Sequence, residues 1–130
     1  MLYVDRNPST GLEVINLTRG DDAALEIPLT GDDGEPYEMD ATEYLLLGVR
    51  QRPTEASELL LELHSEPGGN RIEFRHADTA DLKPGEYSAD IQLMTRDGQR
   101  VTVWPKLTGS MKTSTSSYRN FCLMTEVVME

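Results

Sequence analysis

Few side chains in this sequence are of kinds that do chemistry, and their spacing decides what they can do. Cys122 is the only cysteine. A thiol becomes a nucleophile when a neighbouring base or positive charge holds it as thiolate. No motif ties Cys122 to His64 or His76, the two histidines. It reads instead as a small, partly buried apolar residue. The histidines fall on the two arms of one predicted hairpin, on either side of Pro67-Gly68-Gly69-Asn70. Two imidazoles are half of a structural zinc set, and no cysteine or third histidine completes it. Asp32, Asp33, Glu35, Glu38 and Asp40 form an oxygen-rich run of the kind that chelates calcium where carboxylates converge. Its spacing departs from the D-x-[DN]-x-[DN]-G loop, so a solvated hairpin is expected. No metal and no cofactor is expected.

Two further constellations concern binding. Arg19-Gly20-Asp21 spells the tripeptide that cell-adhesion receptors read. It also joins two predicted strands, where Gly20 supplies a left-handed turn and Asp21 an Asx-type bond, and the turn is the expectation. Tyr3, Tyr37, Tyr44, Tyr118 and Trp104 offer rings on which sugars stack, but they are scattered, as core and rim aromatics are. There is no phosphate-binding loop and no G-x-S-x-G elbow. Enzymatic activity is not expected.

The elements that must hold these residues are strands. Ala77 to Leu93 joins a helical turn over residues 78–82, a Pro84-Gly85 corner and an alternating strand. In that strand Tyr87, Ala89, Ile91 and Leu93 share one face, and Ser88, Asp90 and Gln92 the other. A tyrosine just past a corner, able to bond back to upstream backbone with its ring buried, is how an immunoglobulin-like sandwich locks one end of its core. Other strand-like runs are Glu13 to Leu17, Leu25 to Leu29, Glu43 to Gln51, Leu59 to Leu63, the Ile72–Phe74 return arm of the hairpin, and a run after Asp97-Gly98. In that last run Val101 and Val103 face one way, Thr102 and Trp104 the other. Leu59 to Leu63 is rich in helix formers, yet it alternates and precedes Pro-Gly-Gly, so a strand is preferred. Pro28, lacking an N–H, marks an edge or a bulge. The fold class expected is an all-β, immunoglobulin-like sandwich of about seven antiparallel strands with turns every ~8–12 residues.

The chain is long enough for one domain with a two-layer core. The sandwich is assigned to residues 1–111. Residues 112–130 change character: a polar Lys112–Ser117 stretch precedes Phe121, Leu123, Met124, Val127 and Val128. So apolar a segment must be buried, either as a last strand on its own sheet or as an interface with a partner. The formal net charge is −11. Residues 1–66 carry 15 acidic and 4 basic side chains and residues 67–130 carry 8 of each, so the excess lies in the first half. That distribution argues against nucleic acid and against an anionic membrane as partners. It suits a solvated face or a docking face for a basic partner. With no signal-peptide pattern, no apolar run near ~20 residues and a single cysteine, a soluble protein made in a reducing compartment is expected.

The segments Ile15–Asp22, Leu25–Leu29, Asp32–Tyr37, Leu82–Tyr87 and Asp90–Leu93 resemble the small Ig-like domains encoded in prophages of Gram-positive bacteria. They are similar to the N-terminal domain of phage baseplate upper proteins, over roughly residues 13 to 110. The matching motifs are structural: the Arg19-Gly20-Asp21 turn, the Asp-Gly hairpin with Tyr37, and the Pro84-Gly85-Tyr87 corner. The tail from Lys112 departs from the pattern. The resemblance implies a non-enzymatic structural or assembly role in a phage tail, with trimeric or hexameric self-association and contacts to other tail proteins. It also implies assembly in the bacterial cytoplasm and a final place in the virion. The alternative is a carbohydrate-binding or cell-surface attachment module, with Trp104 the ring to test.

Overall fold

The computed structural model describes residues 2–6, 13–31, 33–52, 57–104 and 121–124. Nine strands and one short helix lie within them. They are β1 (Leu2–Arg6), β2 (Glu13–Thr18), β3 (Ala23–Glu26), β4 (Tyr44–Arg50), β5 (Leu59–His64), β6 (Arg71–Phe74), α1 (His76–Thr79), β7 (Gly85–Met94), β8 (Arg100–Trp104) and β9 (Phe121–Met124). One sheet has seven strands in the order β1-β2-β9-β7-β4-β5, with β8 also on β7. The second consists of β3 and β6. Side chains of both sheets meet in one core, so the fold is all-β and sandwich-like. The seven strands expected from the sequence are β2 to β8. Strand β1 is additional, and β9 is the last strand, one of the two expectations for the apolar segment after residue 112.

Alternation builds the large sheet. Leu45, Leu47 and Val49 of β4 are fully buried, each stabilising the fold by about 1.5–3 kcal/mol. Strand β4 has β5 on one edge and β7 on the other, as a central strand must. Strand β7 is ten residues long. Beyond its pairing with β4, its other edge is shared between β9 at Gly85–Tyr87 and β8 at Ile91–Met94. The corner behaves as expected: the buried Tyr87 donates its hydroxyl to the Lys83 carbonyl.

The structure corrects several expectations. Not every pair is antiparallel: β9 runs parallel to β2, with Ile15 opposite Phe121 and Leu17 opposite Leu123. The sandwich therefore extends past residue 111. Phe121 and Leu123 are 0% and 1% exposed within the chain's own core, so neither forms an interface. Met124 pairs by its main chain with Thr18, and Val127 and Val128 lie outside the described residues. The core also joins the two sheets at Phe74 of β6 and Phe121 of β9, whose rings lie 6.1 Å apart.

Pro67 to Asn70 is not a hairpin loop. Strand β6 pairs with β3, not β5, and the loop crosses between sheets. Asn70 decides this: its carbonyl accepts from Ile27 N and its side-chain amide donates to Ile27 O. Both bonds prolong the β3–β6 ladder. Strand β3 itself stops at Glu26, two residues before Pro28. The helix lies two residues earlier than expected, because Asp78 sits inside its first turn. The Asp78 carboxylate accepts from Arg75 N at 2.7 Å, as an N3 acid does in a capping box. Finally, Trp104 faces the core and is 7% exposed, while Val101 is exposed. Ile91 pairs with Trp104 and Gln92 with Thr102. Val103 is thus an extra residue, and this bulge turns Trp104 inward.

Candidate functional site

At one end of the sandwich a hollow of about 380 Å³ lies between two connections. Tyr37, Glu38, Asp40 and Glu43 come from the segment between β3 and β4. Thr95, Arg96, Asp97 and Gln99 come from the β7–β8 hairpin. Each connection is folded by its own turn chemistry. Asp40 Oδ1 accepts from Thr42 N at 2.8 Å and Thr42 Oγ1 at 2.6 Å, and Glu43 N donates to Asp40 O at 3.1 Å. In the hairpin, Gly98 takes a left-handed φ of +81° and donates to Thr95 O at 3.0 Å. Gln99 N donates to Thr95 Oγ1 at 3.0 Å.

Glu43 fastens the two connections together. It is 5% exposed, and its carboxylate accepts from Tyr37 Oη at 2.8 Å, Asp40 N at 3.1 Å and Arg96 N at 3.4 Å. A buried carboxylate is tolerable when its lone pairs are satisfied in this way. The bond to Glu43 pushes the Tyr37 phenol above its ordinary pKa, burial adding to it, and the same bond orients the ring. The bonds from Thr42 pull the Asp40 carboxyl below its ordinary value, and Arg96 adds to the effect, its guanidinium lying 3.5 Å from Asp40. Glu38 and Asp97 take no hydrogen bond or ion pair among the described residues.

The other residues singled out in the sequence lie elsewhere. His64 packs edge-on against Tyr44 at 6.1 Å on the outer face of the large sheet. His76 begins α1, and its main-chain N donates to Asp22 Oδ1 at 2.6 Å. With no hairpin between β5 and β6, the two imidazoles stand on separate elements. Bonds from His76 hold the Asp22 carboxyl below its ordinary pKa. Burial, with Glu86 and Asp5 nearby, pushes the Cys122 thiol up, away from the thiolate a nucleophile needs. Arg19-Gly20-Asp21 is a turn, with Asp21 N donating to Thr18 O at 3.1 Å and Gly20 at φ +85°. It is also fastened to the helix region: Gly20 N donates to the buried Thr79 Oγ1 at 2.9 Å, and Arg19 to Ala80 O at 3.3 Å.

In the acidic run, Asp33 accepts from Glu35 N at 3.0 Å while Asp40 belongs to the hollow, and Asp32 lies outside the described residues. Among the described residues no three His, Cys, Asp or Glu side chains are grouped to hold a metal. Of the aromatics, Trp104 is in the core, its indole N–H donating to Glu13 at 3.3 Å, so it offers no platform. Tyr118 lies outside the described residues. Tyr3 and Tyr37 are exposed.

A second, smaller hollow of about 120 Å³ lies on the outer face of the large sheet, over Gly48 and beside Arg50, Leu59, Asp90 and Arg100. Among the described residues no helix is long and apolar enough to cross a membrane. The Glu43 fastening was missed by sequence reasoning. Its one signal is an acid placed directly before the most apolar strand. Compared with protein-family models, curated proteins and solved structures, the chain gives no match.

Proposed function

We propose that this chain is a non-enzymatic structural module, immunoglobulin-like in topology, that works by protein–protein contact in an assembly of phage-tail baseplate type. The observation that carries the reading is where the resembling motifs fall. The Arg19-Gly20-Asp21 turn is bonded to Thr79 and Ala80, and the Lys83–Tyr87 segment closes the tyrosine corner. Both motifs serve as fastenings of a rigid frame, which is what a repeated assembly unit requires.

The contact surface favoured by this reading is β1, an edge strand whose Tyr3 and Val4 are 42% and 39% exposed. Exposed edges template association unless they are covered. In a baseplate-type assembly the copies surround a symmetry axis, as trimers or hexamers, and meet other tail proteins. The chain is made in the bacterial cytoplasm and ends in the virion. Light scattering over a concentration series tests this. A trimer or hexamer that falls apart on Tyr3→Ser with Val4→Thr supports the reading. A monomer at every concentration, which also fails to retain tail proteins encoded by neighbouring genes in a pull-down, overturns it.

A further inference from the structure

We propose that the hollow between residues 37–43 and 95–99 is a sugar-binding site that takes the end of an oligosaccharide or polysaccharide. This function is separate from assembly. At about 380 Å³ the hollow stands at the lower end of the ~300–1,000 Å³ range of small-ligand sites. It opens at the end of the sandwich, so a longer glycan can continue outward.

One wall carries Tyr37, a residue 38% exposed, whose ring is held by its hydroxyl on Glu43. An exposed ring that is already oriented offers a plane for the C–H face of a sugar and loses little freedom on binding. Around it stand groups of unlike hydrogen-bonding character. Glu38 and Asp97 are acceptors, Gln99 both donates and accepts, and Arg96 donates. A sugar hydroxyl donates one bond and accepts two, and so can use every one of these groups.

Other ligand chemistries fit less well. An anion would face four carboxylates in a chain of net charge −11. A lysine or arginine side chain would meet the Arg96 guanidinium. The two innermost carboxylates have little left for such a cation: Glu43 is taken by Tyr37 and two main-chain N–H groups, and Asp40 by Thr42 and Arg96. An apolar ligand would leave this polar lining unsatisfied.

The test is an amide-resolved NMR titration of the full chain. The probes are glucose, galactose, rhamnose, N-acetylglucosamine and their disaccharides, with ethylguanidine as a cationic control. At least one sugar is expected to shift the amides of Glu38, Arg96, Asp97 and Gln99 and to saturate at roughly millimolar concentration. Asp97→Ala and Glu38→Ala, both exposed loop changes, should each weaken binding about tenfold, while Arg75→Gln, on the far connection, should not. The proposal is overturned if no sugar moves these amides, if both alanine variants bind as well as the parent, or if ethylguanidine alone saturates the site.

Discussion

Truncating Phe121 to alanine tests whether the end of the chain is part of the core. Phe121 is fully buried. It sits opposite Ile15 on one side and Tyr87 on the other, and its ring meets Phe74 of the second sheet at 6.1 Å and 37°. Removing a buried phenylalanine side chain costs about 3–5 kcal/mol from lost transfer energy and the cavity left behind. Of that, roughly 0.5–1.5 kcal/mol belongs to the pair with Phe74. A domain of this kind is stable by only about 5–15 kcal/mol, so the loss is a large share of the total.

Trp104 is the only tryptophan and is buried, so its fluorescence reports urea unfolding directly. With a urea slope of about 2 kcal/mol per molar, the midpoint should fall by roughly 2 M at unchanged slope. The double variant with Phe74→Ala should fall by less than the sum of the two single changes, because the pair is lost only once. A midpoint shift under about 0.5 M, or strict additivity, would refute the placement of β9 between β2 and β7. The alternative in which this apolar segment serves a partner subunit would then stand.

Two further outcomes follow from the same geometry. Tyr87→Phe keeps the buried ring but leaves the Lys83 carbonyl without its donor, and urea melts should show a loss of about 1–2 kcal/mol; an unchanged midpoint would mean that the corner contributes nothing. Burial raises the Asp90 carboxyl above its ordinary pKa, against the opposing pull of Arg50 and its own backbone. The folded state therefore holds that proton more tightly than the unfolded chain. The contribution of Asp90 to stability is greatest below the ordinary carboxylate pKa of about 3.9, falls as pH rises through the folded value, and stays lower above it. In thermal melts across that window, Asp90→Asn should become more stable relative to the parent as pH rises and then level off; a pH-independent difference would exclude the effect.

What was legible in the sequence was local. Period-2 alternation placed β7 and the faces of Ile91 and Leu93, and the apolar run from Tyr44 to Val49 placed β4, whose alternating burial only the structure shows. The Pro84-Gly85 corner with Tyr87 pointed to a bond that the structure contains. The Asp97-Gly98 turn and the turn at Arg19-Gly20-Asp21 were equally plain, because each holds a glycine, the residue that takes at least cost the left-handed φ found at Gly20 and Gly98. The candidate site was visible only as ingredients: Tyr37 among scattered aromatics, and Glu38 and Asp40 in an acidic run.

Apart from the β7–β8 hairpin announced by Asp97-Gly98, tertiary structure decided which strands are neighbours. A four-residue loop at Pro67–Asn70 serves a hairpin or a crossing equally well, and the bonds between Asn70 and Ile27, 43 positions apart, settled it. Bulges at Leu60 and Val103 shift a face by one residue, and no local pattern announces them. The parallel pairing of β2 with β9 brings together residues from opposite ends of the chain. Glu43 meets the Arg96 amide across 53 positions. Propensity and alternation act over a few residues, whereas these contacts are selected by burial and hydrogen-bond satisfaction in the finished core, where each partner is specified by all the others.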